Sequence, residues 1–243
     1  MKRFVLLLML AMMVGVASAQ EVKNATTTAE QKRMPPKSDC LADFTKIKID
    51  ASVNLILRRV KEGEEVRIVY DTKGDVSSKF RYKVDEKGVL TVSEKVDAKR
   101  LDATDVVIYY KSLSEVKIAH ATAEFEDEIS TSLFDLSVSG GATVSIAIKA
   151  LDVAVECTGA SSLVISGEAK YLTMRVSTAN VDCGQLSTIS TTVEASNSAQ
   201  VRVVVSERLE AKTSTGGKLF YRGTPSILRN HNAIFGGNIV NVN

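Results

Sequence analysis

The chain has 243 residues, 31 of them basic and 29 acidic, so it lacks the charge excess that draws proteins to nucleic acid or to an anionic membrane. Its three cysteines are too few and too oddly numbered for a disulfide framework and lack metal-site spacing. The length suits one large domain or two small ones.

Residues 1–19 begin with Lys2 and Arg3, run through an apolar stretch from Phe4 to Val16, and end in Ala17-Ser18-Ala19. That is the layout of a secretory signal peptide, with cleavage expected before Gln20. The apolar run is too short to span a bilayer comfortably, and no membrane insertion is expected after cleavage. No cysteine follows the run at once, so a lipid-anchored start is not expected. Cleavage leaves 29 basic residues against 29 acidic ones. Residues 20–40, polar and containing Pro35-Pro36, read as a flexible leader.

Beyond residue 40, Val, Ile, Thr and Ser dominate and long helical periodicity is absent, which points to an all-β fold. Residues 41–112 read as a strand-rich N-terminal segment. Within it, 44–50 alternates with Phe44, Ile47 and Ile49 on the apolar side, followed by strands over 53–58 and 66–70. Strands over 80–84 and 89–92 flank the hairpin turn Asp85-Glu86-Lys87-Gly88, and a strand over 106–110 closes the segment.

Residues 113–226 repeat. The corners VSGGATVSI, CTGASSLVI, VSTANVDCG, ASNSAQVRV and TSTGGKLFY recur, with IAHATAEFE as a divergent first copy. Their second residues, Ala119, Ser139, Thr158, Ser177, Ser196 and Ser214, are about 19 residues apart, the mark of a stacked array. One residue before each anchor stand Ile118, Val138, Cys157, Val176, Ala195 and Thr213. Three before stand Val116, Leu136, Val155, Met174, Val193 and Ala211. Both columns are mainly apolar, as inward positions of a strand must be. The column between them is polar: Lys117, Ser137, Glu156, Arg175, Glu194 and Lys212. Its last four members alternate in sign and are expected to lie in a row on neighbouring coils.

Beyond the corner, Val144, Leu163, Val201 and Leu219 share a column, and Ile146, Ile165, Val203 and Tyr221 another. The first copy puts Glu124 and Glu126 there, so its phase is expected to slip by one residue; the third puts Asp182 and Gly184 there. Small residues at the corners suit tight bends. Residues 227–243, with Phe235-Gly236-Gly237 and Ile239, are expected to cap the array.

At these residues the sequence resembles the bacterial family described as "putative auto-transporter adhesin, head GIN domain", common in Bacteroides-like organisms. The resemblance rests on the opening FTKIKIDASVNLIL, on corners such as SGGATVSI and TGASSLVI, and on the ending LFYRGTPSI. It runs from about Phe44 to the C-terminus, although the later corners, such as ASNSAQ, carry less glycine. The repeat spacing gives a solenoid of short strands and ~19-residue coils; the resemblance implies that it is a right-handed parallel β-helix-like fold without recognised catalytic residues, and a role in cell adhesion. The right-handed preference of parallel crossovers agrees with that hand.

Candidate sites divide into chemistry and packing. The acidic cluster Glu124, Glu126, Asp127 and Glu128 lacks the glycine and Asp/Asn spacing of calcium loops and reads as solvated charge. His120 and His231 belong to no zinc or nucleophile-elbow motif. Cys157 takes an inward column, Cys183 falls on the opposite parity of its strand, and a pair between them is not expected; a bridge from Cys40 to either stays open. Tyr109-Tyr110, Phe220-Tyr221 and Tyr171 read as packing or end-capping rather than a sugar platform. The Ser/Thr/Gly corners read as bends closed by local hydrogen bonds, and together as a ladder for weak repeated contacts.

No catalytic, cofactor-binding or metal-binding residue is therefore assigned. The expected protein is a non-catalytic, exported envelope module of the periplasm or cell surface that meets an unknown protein or glycan through an extended solenoid face. A polysaccharide lyase or hydrolase on a β-helix is the alternative, and a purely structural envelope scaffold the third reading.

Overall fold

The computed structural model describes residues 35–73, 79–95, 102–232 and 236–243. The signal peptide and most of the expected leader fall in 1–34, outside the described residues. Residues 36–243 form one unit, in which the described secondary structure is all strand.

In chain order the strands are β1 (Lys37–Cys40), β2 (Lys46–Asp50), β3 (Val53–Arg59), β4 (Arg67–Asp71), β5 (Arg81–Val84) and β6 (Val89–Ser93). Next come β7 (Thr104–Tyr110), β8 (Glu115–Ala119), β9 (Thr122–Phe125), β10 (Ile129–Ser139), β11 (Thr143–Thr158) and β12 (Ser162–Ser177). The last five are β13 (Asn180–Ser196), β14 (Gln200–Thr213), β15 (Lys218–Arg222), β16 (Ile227–Asn232) and β17 (Asn238–Asn241).

From β8 onward every ladder is parallel, and the fold is a β-solenoid. In β11 the side chains of Val144, Ile146 and Ile148 point inward, and those of Val153, Val155 and Cys157 do so further on. The inward parity changes from even to odd across residues 149–152, because the strand bends there and crosses from one wall of the coil to the other. Hydrogen bonding continues through the bend, so the coils are built of strands of 14–17 residues rather than the short ones expected. The two walls enclose a single apolar core.

The observed register is the one read from the repeats. Glu156 pairs with Arg175, Arg175 with Glu194, and Glu194 with Lys212, while Val155, Met174, Val193 and Ala211 line up inside. Arg175 Nε lies 3.6 Å and Lys212 Nζ 3.9 Å from Glu194 carboxylate oxygens. These exposed pairs contribute at most about 1 kcal/mol each, so the buried columns carry the stability and the charges oppose slipped stacking.

Corner length sets the register of the second wall. Ala123, not Glu124, lies opposite Val144, and Val181, not Asp182, lies opposite Leu163. Both corners are one residue shorter than their neighbours, which rotates every later side chain to the other face. Glu124 and Glu126 therefore point outward. The same shift corrects the parity assigned to Cys183: its side chain is fully buried beside Met174, and it shares the core with Cys157. Cys40, Cys157 and Cys183 are all free thiols.

The stack takes in strands on both sides of residue 113. β2 lies between β6 and β8 and β3 between β7 and β9, all parallel. The coil that comes first in the chain is thus covered on one side by β6 and β7, which come after it in sequence. Beyond these the pairing turns antiparallel, β5 on β6, β4 on β7 and β1 on β4, so Lys37–Cys40 of the expected leader is a strand. Tyr70, Phe80 and Tyr82 cluster at this end, with the Tyr70 and Phe80 rings stacked at 4.7 Å, and pack against the core. At the other end the expected cap extends the ladder, with β16 parallel to β14 and β17 parallel to β15.

Two outcomes test this packing. Gly167 has φ +107°, and a Cβ there would stand 2.1 Å from the Ile148 carbonyl oxygen, whereas one on Gly141 (φ +77°) meets nothing within 4 Å. Gly141→Ala should cost about 1–2 kcal/mol in urea unfolding, the backbone cost alone, and Gly167→Ala clearly more.

Burial pushes the Cys157 thiol up to about 11 from 9.0. The native state holds it neutral while the unfolded chain ionises, so stability is full below pH 9 and falls as pH rises from about 9 to about 11, by about 2–3 kcal/mol. Burial pushes the Cys183 thiol up further and it acts over the same range, so Cys157→Ala should lessen the slope of that part of a stability-versus-pH curve and Cys157→Ala/Cys183→Ala lessen it more.

Candidate functional site

The bend that joins the two walls forms a concavity open to solvent. Its floor is the row Thr131, Ala150, Ala169, Thr188 and Val205, one residue per coil, paired in register from β10 to β14. Four of these are small, so the bend sinks instead of bulging, and a groove of about 960 Å³ runs along the stack. At about 4.8 Å per coil, five coils give it a length of roughly 20 Å. Serines and threonines form much of its walls, among them Ser130, Ser132, Ser187 and Ser206.

The floor is held by hydrogen bonds where β13 and β14 lose register. Thr188 Oγ1 donates to the Val204 carbonyl at 2.7 Å and lies 2.6 Å from Thr191 Oγ1, while Ser206 Oγ donates to the Thr188 carbonyl at 3.2 Å. On the rim, Lys149 reaches Glu168 at 3.9 Å, with both side chains mostly in solvent.

Exposed apolar side chains follow the same bend. Leu133, Tyr171 and Ile227 belong to one cross-coil row, with Asp152 between the first two and Ser190 and Arg208 between the last two. Leu151 and Ile189 each precede a member of that row by one residue. Leu133 is 64% exposed and Leu151 48%, and these five are the greater part of the large exposed apolar residues among the described residues. Scattered apolar exposure is ordinary, but an aligned series marks a contact surface. Sequence reading passed over this ridge, although each member stands just where the inward parity breaks.

Next to the opposite corner, one wall carries an uncharged polar row: Asn54, Thr122, Thr143, Ser162, Asn180 and Gln200, continuing to Lys218 and Asn238. The corner residues themselves serve the bend. Ser161 Oγ donates to the Thr158 carbonyl at 2.7 Å, and Asn197 Nδ2 to Ser177 Oγ at 2.8 Å. Turn N–H groups also bind the next coil, Gly141 to the Gly159 carbonyl at 2.8 Å and Ser198 to that of Thr215 at 2.9 Å.

The acidic cluster is dispersed among basic partners. Arg58 makes a two-pronged pair with Glu126 at 2.6 and 2.7 Å, which holds that carboxyl below the usual carboxylate range, and Asp127 accepts the Arg59 N–H at 2.7 Å. Among the described residues no group of three or more His, Cys, Asp or Glu could hold a metal. His120 Nδ1 lies 3.3 Å from Asp50, and His231 is exposed on β16. The aromatic residues weighed as a sugar platform are kept apart: Tyr171 flanks the groove, Tyr110 and Tyr221 are buried, and Tyr109 lies beneath a guanidinium.

The chain is thus a two-walled solenoid with cross-coil rows and a groove along one bend. The chain belongs to the family described as "Putative auto-transporter adhesin, head GIN domain", which matches residues 43–225. A "putative adhesin" from Bacteroides fragilis is similar in fold, with TM-score 0.75 at 15% identity, covering 85% of this chain and 96% of that one. One from Parabacteroides merdae gives 0.64 at 15%, covering 84% and 95%. A "putative lipid binding protein" from Parabacteroides distasonis gives 0.59 at 12%, covering 85% and 97%. No curated protein matches the chain.

Labelling tests the thiol environments. At pH 8 a maleimide should modify exposed Cys40 alone in the native protein, and Cys157 and Cys183 only after unfolding.

Proposed function

We propose that this protein is an exported, non-catalytic adhesin-type module that holds an extended surface glycan along the bend groove. The carrying observation is the groove itself, which crosses successive coils between hydroxyl-bearing walls with exposed Leu151 and Ile189 beside it. Hydroxyl side chains exchange hydrogen bonds with sugar hydroxyls, and the apolar ridge covers C–H faces of the rings. Each contact is weak, but coils in register present many at once, and their sum gives useful affinity. Membership of a family described as an adhesin supports contact rather than lyase or hydrolase chemistry. Membership of an adhesin family and the start of the chain at 1–19 support placement at the periplasm or cell surface.

The ridge and the relative described as lipid-binding favour a second reading, in which an acyl chain occupies the groove. A glycan array with residues 36–243, run beside flotation with neutral phospholipid vesicles, separates the two. Glycan retention is expected, and the double variant Leu151→Lys/Ile189→Lys should lower it at least ten-fold with stability within about 0.5 kcal/mol of the parent. Vesicle binding alone would support the acyl chain, and silence on both would leave the scaffold role.

A further inference from the structure

At the N-terminal end of the same bend lies a second, smaller pocket of about 470 Å³, lined in part by Arg58, Lys61, Glu64, Arg67, Tyr109 and Asp127. Asp127 stands on the connection that leads from β9 into β10, shortly before the groove residue Ser130, so pocket and groove adjoin along the chain.

Its geometry comes from a cross-strand row. Arg67 on β4 is the register partner of Tyr109 on β7, which is the partner of Arg58 on β3. The Arg67 guanidinium lies 3.7 Å from the Tyr109 ring centroid, and Arg58 Nη1 donates to the Tyr109 hydroxyl at 3.1 Å. Stacking on the ring fixes the plane of Arg67.

The two arginines differ in what they already hold. Arg58 is occupied by both carboxylate oxygens of Glu126. Arg67 has no carboxylate partner among the described residues; its polar contact is the Glu65 carbonyl, at 3.5 Å. A planar fork, held by an aromatic ring and left unneutralised, is suited to a carboxylate. Glu64 and Asp127 line the same pocket beside Arg59 and Lys61, and their carboxylate oxygens accept hydrogen bonds from hydroxyl groups. The group that satisfies both requirements carries a carboxylate and several hydroxyls together.

We propose that the Arg67–Tyr109–Arg58 pocket is a subsite for an acidic, uronate-type sugar of the glycan that lies in the bend groove. The carboxylate takes the Arg67 fork, and ring hydroxyls donate to Asp127 and Glu64. This assignment rests on the glycan reading of the groove and adds to it the charge of the ligand.

The test uses residues 36–243, a glucuronate oligosaccharide, and the neutral oligosaccharide made from it by reducing the carboxylates to alcohols. Titration calorimetry is expected to show the acidic form binding at least ten-fold more tightly, with the difference shrinking as salt rises, and no binding of inorganic phosphate. Arg67→Ala should bring the acidic form down to about the affinity of the neutral one, weakening the acidic form far more than the neutral one. Arg67→Lys, which keeps the charge and loses the fork, should recover only part of the preference. Equal affinity for the two forms, an unchanged preference in Arg67→Ala, phosphate binding as tight as the sugar, or no binding of either form would each overturn the subsite. The groove reading is judged separately, by whether Leu151→Lys/Ile189→Lys abolishes binding of the neutral form. Thermal melting of each variant confirms that the fold is intact.

Discussion

The structure depends on one constraint: inward side chains of successive coils must lie above one another at the spacing of a parallel ladder. A core residue such as Met174 finds Val155 on one side and Val193 on the other, all essentially without solvent contact. Each coil alone could not shield its apolar face, and each becomes stable only between neighbours. The rest of the molecule results from keeping those columns aligned or from ending them.

Ending them is handled differently at the two extremities. At the N-terminal end the ladder changes from parallel to antiparallel, and the aromatic cluster Tyr70, Phe80 and Tyr82 packs against the last core layer. The edge strands there carry Lys37, Asp39, Arg81 and Lys83, and charged edges resist pairing with another chain. At the C-terminal end β16 and β17 simply continue the stack, leaving Ile227, Leu228 and Val242 partly in solvent. The groove arises between the ends, where the bend repeats with small residues on its floor.

Much of this was legible in the sequence, and the misses share a cause. The period, the inward columns and the row of Glu156, Arg175, Glu194 and Lys212 could be read because a strand has a side-chain period of two and the coils nearly a fixed length. Cys183 was placed on the wrong face because its corner is one residue short, and a one-residue change reverses every side chain after it. Pro35-Pro36 and the polar run before Cys40 suggested a leader up to residue 40, yet Lys37–Cys40 pairs with β4, a partner distant in sequence. The groove escaped because its floor and ridge belong to residues where the period breaks, and period is what sequence reading tracks.

By itself the sequence determined the all-β class, the coil length, which residues of the wall before each corner face the core and which charges face each other, because these are local consequences of alternation and repetition. Only the tertiary structure decided that β2 and β3 are overlaid by strands later in the chain, that the bends line up into a groove, and that Arg67 and Arg58 meet across Tyr109. These depend on which distant strands pair, and strand pairing is chosen by the packed core as a whole rather than by any segment of the chain.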